Sequence, residues 1–163
     1  MIRRLTPVDA PILRDLRLLA LTDSPDAFGS TLEKTIQRSL ADWEAMLRSE
    51  GNPYFVFESG SPHRGLIGVL RSNESHIAHL VSMWVAPPLR GRGVSDDLVR
   101  HVIAWANDSG SHRLELSCTE GNKYAENLYI RHGFVRTGEA ETRERDGMTE
   151  FDMTLPLKRA SGR

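Results

Sequence analysis

The chain has 163 residues, of which 39% are hydrophobic and 26% are charged, and its formal net charge is −1. This length and composition predict one soluble globular domain with a core of its own, and the near-zero charge argues against a nucleic-acid partner. The single cysteine, Cys118, excludes an internal disulfide framework, and the lack of a long apolar run predicts a cytoplasmic protein with no membrane partner.

The first 50 residues are predicted to form a short strand and two helices. Residues 2–5 are the strand, and the first helix is expected from residue 8 or 9 to about 21. A proline-containing segment should end this helix, because proline disfavours the helical conformation in the residue before it. Ser39 is a favourable N-cap for the second helix. Between the helices lies a mixed stretch, residues 26–35, that contains Phe28-Gly29.

The middle of the chain has the period of β-strands. Strands are expected at residues 54–58, 65–71 and 76–85, with turns at 59–62 and 72–75. The last strand is the longest and is mainly apolar on both faces, which is typical of a central strand covered on both sides. Strict alternation places Ile77, His79, Val81, Met83 and Val85 on one face and Ala78, Leu80, Ser82 and Trp84 on the other.

The rest of the chain alternates helices and strands. A helix is expected at 93–107, a strand at 113–118 and a helix at 122–132. Because Asp146-Gly147 is a strong turn signal, residues 134–141 and 148–157 are predicted to pair as a hairpin. The elements together predict an α/β (α+β) domain over residues 1–157, followed by a polar tail at 158–163.

A loop rich in glycine and arginine joins the central strand to the next helix. Its sequence is Arg90-Gly91-Arg92-Gly93, and it is followed by Val94. Glycine permits positive φ and a close approach of backbone to a ligand. The N-terminus of a helix presents unpaired N–H groups and the positive end of a dipole. The pattern therefore favours a site for phosphate over an ordinary strand-to-helix turn.

Two motifs in order carry a family resemblance over nearly the whole chain. The first is the segment 85–94, in which Arg90 and Gly93 match an Arg/Gln-x-x-Gly-x-Gly/Ala pyrophosphate loop, with Ser95 where Gly or Ala is usual. The second is Asn122-x-x-Ala125-x-x-Leu128-Tyr129-x-x-x-Gly133-Phe134. With this order of elements, the sequence resembles the GCN5-related N-acetyltransferase (GNAT) superfamily. Such a pair of motifs in the expected strand and helix context is more specific than either alone.

The resemblance implies a fold and a bound cofactor. The expected fold is one mixed, mostly antiparallel sheet of about seven strands, with a splay between strands 4 and 5 and about four flanking helices. The expected cofactor is acetyl-CoA, with CoA as the product, and its pantetheine arm would enter the splay. The residues implied in cofactor binding are Met83, Trp84, Val85, Arg90, Gly91, Arg92, Gly93, Val94, Ser95, Asn122, Ala125 and Tyr129.

The resemblance also suggests how catalysis would proceed. Tyr129 would act as the general acid that protonates the leaving thiolate, and a backbone N–H near Val85 would stabilise the oxyanion. Some members place a glutamate base on the long strand, at the position of His79 here. An imidazole is a workable base at neutral pH, but a histidine that is merely hydrogen-bonded in the sheet fits equally well. A covalent route through Cys118 would need an activating base beside it, and the sequence shows none.

The function predicted from these residues is acetyl transfer from acetyl-CoA to a primary amine, by direct attack in a ternary complex. The acceptor would be a small-molecule or peptide amine near Phe28, Gly29 and Glu33 and the hairpin loop 144–148, and the protein would be a monomer or homodimer. The alternative is a non-catalytic acyl-CoA-binding or regulatory module. A dinucleotide-binding domain fails because no third glycine follows Gly93. The histidines show no metal-ligand spacing, so no metal is expected.

Overall fold

The computed structural model describes residues 1–72 and 76–158. Residues 73–75 of the predicted turn and residues 159–163 of the predicted tail lie outside this part of the chain. The strands are β1 (Ile2–Arg4), β2 (Tyr54–Glu58), β3 (Arg64–Ser72), β4 (Ile77–Val85), β5 (Arg113–Thr119), β6 (Val135–Thr142) and β7 (Thr149–Pro156). The helices are α1 (Ala10–Asp23), α2 (Leu32–Thr35), α3 (Leu40–Arg48), α4 (Val94–Asp108) and α5 (Lys123–Arg131).

This order agrees with the predicted order except for α2, a single helical turn in the stretch predicted as mixed. The side chain of Thr31 caps it by accepting from the Lys34 N–H at 3.3 Å. The predicted cap at Ser39 is confirmed. Its hydroxyl accepts from the Asp42 N–H at 3.2 Å, and the Asp42 carboxylate accepts from the Ser39 N–H at 2.8 Å.

The seven strands form one sheet in the order β1-β2-β3-β4-β5-β7-β6. Every neighbouring pair is antiparallel except β4 and β5, which are parallel. The parallel pairing joins only Ile77 to His79 with Arg113 to Glu115. The predicted mixed sheet and the splay between strands 4 and 5 are therefore both confirmed.

Each face of the sheet carries its own hydrophobic core. One core joins α1 and α3 to the sheet and includes Leu13, Trp43 and Trp84. The other joins α4 and α5 to the sheet and includes Leu98 and Leu128. The two helical layers cover the long strand β4 on both faces, as its apolar composition predicts.

A β-bulge in β4 overturns part of the predicted alternation. Leu66 of β3 lies opposite Trp84, but Gly68 lies opposite Val81, so β4 has one more residue in this interval than β3. Ser82 takes up the extra residue with a left-handed φ of +58°. As a result, Ala78 and Leu80 lie in the same core as Val85, whereas Trp84 lies in the opposite core.

Candidate active site

The divergence of β4 from β5 opens a cavity at the centre of the sheet. Its volume is about 400 Å³, and its walls come from the ends of both strands, from α5 and from the segment around Phe28. Cavities of this size bind small ligands and cofactor arms. The lining residues are Ser24, Ala27, Phe28, Met83, Trp84, Val85, Arg90, Ser95, Ser117, Cys118, Thr119, Asn122, Tyr124, Ala125, Leu128 and Tyr129.

The edge of β4 faces this cavity with unpaired backbone. On one side β4 pairs with β3 as far as Val85. On the other side its pairing with β5 ends at His79, so the following main-chain groups have no strand partner among the described residues. An extended ligand with amide groups can pair with such an edge as an added strand. Met83, Trp84 and Val85 line the cavity along this edge.

The glycine-rich loop and the start of α4 lie at one end of the cavity. Gly91 and Gly93 have left-handed φ values of +73° and +80°, and Gly93 is the residue before the helix. The first helical hydrogen bond runs from the Asp97 N–H to the Gly93 carbonyl at 3.0 Å, so the N–H groups before Asp97 have no intrahelical partner. A Cβ at either glycine would meet no atom within 4 Å, so the space above the loop is open. This arrangement suits an anion.

Two acidic side chains at the start of α4 are paired with basic side chains. Asp96 is bound by Arg131 at 3.1 Å and by His132 at 2.8 Å. Asp97 is paired with Arg100 on its own helix. Their charges are therefore compensated and do not oppose an anion at the loop.

The guanidinium of Arg90 is turned inward, toward the end of α1. Its Nε donates to the Val85 carbonyl at 2.9 Å, and its Nη2 donates to the carboxylate of Asp23. The indole N–H of Trp84 donates to the same carboxylate at 3.0 Å. The hydrogen bonds from Trp84, Ser24 and Arg90 lower the pKa of Asp23 to about 2. This cluster ties α1 to the end of β4 and holds the start of the loop in place.

Tyr129 and Cys118 both line the central cavity. Tyr129 is 6% exposed, and its ring packs edge-on against Phe134 at 5.6 Å between centroids. Burial, and then the nearby Cys118, raise the pKa of the Tyr129 phenol above its usual value, so the phenol carries its proton at neutral pH. Burial raises the pKa of the Cys118 thiol to about 11, which leaves it a weak nucleophile. A proton donor is thus held beside an unreactive thiol.

A second pocket, of about 290 Å³, adjoins the first and contains His79. Tyr129, Met83 and Phe28 line both pockets, so they form a common wall. The Nδ1 of His79 lies 3.9 Å from a carboxylate oxygen of Glu115, its partner across the last rung of the parallel pairing. The imidazole is therefore in the same pocket as the phenol, on the side of the gap away from the glycine-rich loop.

The β6–β7 hairpin holds the segment around Phe28 in place through two arginines. Arg143 donates to the carbonyls of Asp26 at 2.9 Å and Phe28 at 3.3 Å. Arg145 donates to the Phe28 carbonyl at 2.8 Å. Asp146 pairs with both arginines, so its charge is compensated.

Over residues 14–134, the chain matches the profile of the acetyltransferase (GNAT) family. The chain belongs to the GNAT family. Among curated GNAT relatives, N-acetyltransferase 8B of Rattus norvegicus is 29% identical over 113 residues, which are 66% of this chain and 51% of the relative. The chain spans about half the length of the curated relatives that it matches.

Solved GNAT structures share the fold over almost the whole chain. An acetyltransferase of the family from Streptococcus pneumoniae has a TM-score of 0.79 at 22% identity and covers 97% of this chain and 99% of its own. Spermidine N-acetyltransferase from Vibrio cholerae, in complex with CoA and spermine, has a TM-score of 0.78 at 16% identity and covers 96% and 95%. At these identities the likeness shows the fold alone.

The GNAT site brings together most of the residues predicted from sequence. The predicted cofactor residues that line the central cavity are Met83, Trp84, Val85, Arg90, Ser95, Asn122, Ala125 and Tyr129. Gly91, Arg92, Gly93 and Val94 form the adjoining loop and first helical residue. Of the predicted acceptor residues, Phe28 and Gly29 line the pocket of His79, whereas Glu33 is exposed on α2 and lines neither pocket. The binding and catalytic roles themselves stay predictions.

Asn122 has a structural role that the sequence did not reveal. Its side chain caps α5 by accepting from the Ala125 N–H at 3.2 Å. Thr119, also not predicted, lines the cavity and donates to the Asp26 carbonyl at 2.7 Å. It ends a strand next to Cys118, and a polar residue where a buried strand ends is the signal that would have found it.

Two further observations concern membrane-spanning helices and metal sites. Among the described residues, no helix has the length and apolar character needed to cross a bilayer. Within the same part of the chain, no group of three His, Cys, Asp or Glu side chains is arranged to hold a metal ion.

Proposed function

We propose that this protein transfers an acetyl group from acetyl-CoA to a primary amine by direct attack in a ternary complex. The observation that carries the proposal is the gap beyond His79. There, an unpaired strand edge connects the glycine-rich loop at one end with a buried tyrosine at the other. Acetyl-CoA would supply an activated acetyl thioester.

The residues present fit the pyrophosphate and the pantetheine arm of that molecule. The left-handed glycines and the first turn of α4 offer N–H donors to a pyrophosphate. The edge of β4 from Met83 to Val85 offers donors and acceptors to the amides of a pantetheine arm. The reactive end would then lie near Tyr129, which lines the same cavity.

The chain supplies groups for each proton transfer that amide formation requires. The buried phenol of Tyr129 is protonated at neutral pH, so it has a proton that it can give to a leaving thiolate. His79 is the residue that can take a proton from an incoming amine, since it opens into the adjoining pocket. A backbone N–H of β4 near Val85 can donate to the carbonyl oxygen as it gains charge.

The raised pKa of Cys118 favours direct attack over an acyl-cysteine route. A thiol with a pKa of about 11 is almost wholly protonated at neutral pH. Covalent catalysis requires the thiolate, and burial, the largest influence on this thiol, opposes its formation. Cys118 is therefore assigned to packing.

The test is thiol release from acetyl-CoA with a panel of amines, measured for the native protein and for Tyr129→Phe. A general acid typically contributes roughly 10²- to 10⁴-fold, so Tyr129→Phe should lower kcat by that factor and leave the KM for acetyl-CoA nearly unchanged. Tyr124→Phe is the matched comparison on the same helix. The Tyr124 hydroxyl lies 3.3 Å from Ser95 at the loop end of the cavity, so its loss should change KM and spare kcat.

Two outcomes would count against the proposal. Unchanged turnover in Tyr129→Phe would remove the acid role. Saturable CoA binding without thiol release for any amine would instead favour the non-catalytic acyl-CoA-binding module.

A further inference from the structure

Arg17 is a buried arginine whose guanidinium is not fully hydrogen-bonded by the described residues. It lies on the inner face of α1 and is 6% exposed. Its Nη1 is buried and has no hydrogen-bond partner within residues 1–72 and 76–158. Its guanidinium lies 5.4 Å from the ring centroid of Phe28, and burial lowers its pKa. A buried charge without a hydrogen-bonding partner is costly, so its presence calls for a ligand that completes it.

Arg17 lines a third cavity, of about 820 Å³. The other charged groups of this cavity also favour the binding of an anion. Arg38 lines the same cavity, with its guanidinium 5.2 Å from the ring of Trp43. Among the described residues that line it, the one acidic residue is Asp42, whose carboxylate already accepts the Ser39 N–H at 2.8 Å. Two guanidinium groups and one engaged carboxylate leave this cavity with excess positive charge.

This cavity adjoins the pocket that contains His79. Phe28 and Gly29 line both, as do Val81 and Ser82 at the bulge of β4. The left-handed bulge at Ser82 therefore lies on the boundary between the buried arginine and the imidazole. A ligand that crosses this boundary would place one end at Arg17 and the other at the gap in the sheet.

We propose that the acceptor of this enzyme is an amine that also carries a carboxylate, and that Arg17, assisted by Arg38, binds the carboxylate. A guanidinium binds a carboxylate through two parallel hydrogen bonds, which would satisfy the buried Nη1. The same charges disfavour a polyamine, because its cationic groups would meet two arginines. This inference rests on the proposed function, because only acetyl transfer makes the bound molecule an acceptor.

The experiment compares amines that differ only in the carboxylate. Glycine, β-alanine and γ-aminobutyrate vary the distance between amine and carboxylate, and each is paired with its carboxamide. The dipeptides Ala-Asp and Ala-Asn, both with amidated C-termini, test a carboxylate presented by a peptide, and spermidine tests a polyamine. Thiol release gives kcat/KM for each amine, and calorimetry in the presence of CoA gives binding without chemistry.

The variants are Arg17→Met, Arg17→Lys and Arg14→Met. Methionine keeps the length of the arginine and removes its charge, and lysine keeps the charge but loses the two-point geometry. Arg14 is the matched control on the same helix, because it pairs with Asp15 on the surface. Removal of an unpaired buried charge should not unfold the protein, and the melting temperature of each variant checks this.

We expect each preferred carboxylate to exceed its carboxamide in kcat/KM and to lose on the order of 10- to 100-fold in Arg17→Met, chiefly through KM, as expected for a charged hydrogen bond. Carboxamides should be unaffected by this substitution, Arg17→Lys should recover part of the loss, and Arg14→Met should match the native protein. A preference for free amino acids points to a small acceptor, and a preference for Ala-Asp points to a peptide.

The outcomes separate this inference from the proposed function. Turnover that is equal for carboxylates and carboxamides, or equally reduced for both in Arg17→Met, overturns the carboxylate site and leaves the acetyltransferase intact. The same holds if spermidine is the best acceptor. Calorimetric binding that requires both the carboxylate and Arg17, with no thiol release for any amine, supports the site and refutes acetyl transfer. Absence of both turnover and carboxylate binding overturns the site as well.

Discussion

Replacement of Gly68 by alanine should destabilise the protein measurably, because Tyr54 occupies the space beside it. The two residues are direct partners across β2 and β3. A Cβ at Gly68 would lie 2.6 Å from one ring carbon of Tyr54 and 2.7 Å from another. Tyr54 is 4% exposed, so its ring cannot swing away without disturbing the core. Overpacking of this kind destabilises a protein by about 1–3 kcal/mol. Alanine also lowers the conformational entropy of the unfolded chain relative to glycine, which offsets about 0.4–1 kcal/mol of that loss.

The net destabilisation expected for Gly68→Ala is therefore about 1–2 kcal/mol, which corresponds to a fall in melting temperature of about 2–8 °C for a domain of this size. Urea unfolding followed by tryptophan fluorescence, together with a calorimetric melt, measures it. Gly51→Ala is the matched control, because a Cβ there meets no atom within 4 Å and its φ is not left-handed. If both variants were as stable as the native protein, the close packing of Tyr54 on β3 would be refuted.

Three further predictions concern the site. Gly93→Ala should lower the free energy of unfolding by about 1–2 kcal/mol in urea titration, because a non-glycine residue at a φ of +80° is strained although space is open; unchanged stability would contradict the left-handed conformation of the loop. His79→Gln should lower kcat/KM by roughly 10²-fold or more, mainly through kcat, whereas a histidine with only a sheet role would leave kcat nearly unchanged. Asp23 has a pKa lowered to about 2, so its stabilisation is complete above the unfolded value and is lost as the pH falls through 2. Asp23→Asn should therefore lower the free energy of unfolding by about 1 kcal/mol at neutral pH and leave it unchanged at pH 1. The midpoints of urea unfolding across that pH range measure the difference.

The elements that the sequence predicted best are those with a strong local signal. The glycines of the loop after β4 predicted a left-handed backbone, and the structure has it at both Gly91 and Gly93. Ser39 predicted a helix start, and Asp-Gly predicted the hairpin turn, both from side chains that act on their nearest neighbours. The family motifs then predicted the splay, which no local pattern in β4 or β5 indicates.

The features that the sequence did not predict depend on register and tertiary packing. The bulge at Ser82 is invisible in β4 alone, because only the pairing with β3 reveals the extra residue. Arg17 was missed because a helix rich in arginine offers no local sign that one of them is buried. The spacing did contain a signal, since Arg17 follows Leu13 and precedes Leu21 by four residues each, on the buried face.

Phe28 lines the cavity proposed for the cofactor, the pocket of His79 and the cavity of Arg17. Arg143 and Arg145 fix its backbone. A ligand in any one of the three cavities therefore contacts the same ring, whose position also depends on the ligands in the other two. Any molecule that displaces this ring changes the affinity on the opposite side, and linkage requires the change to be reciprocal. An engineered change of acceptor at Phe28 would therefore alter the saturation curve for acetyl-CoA in the same step, and the two specificities would have to be selected together.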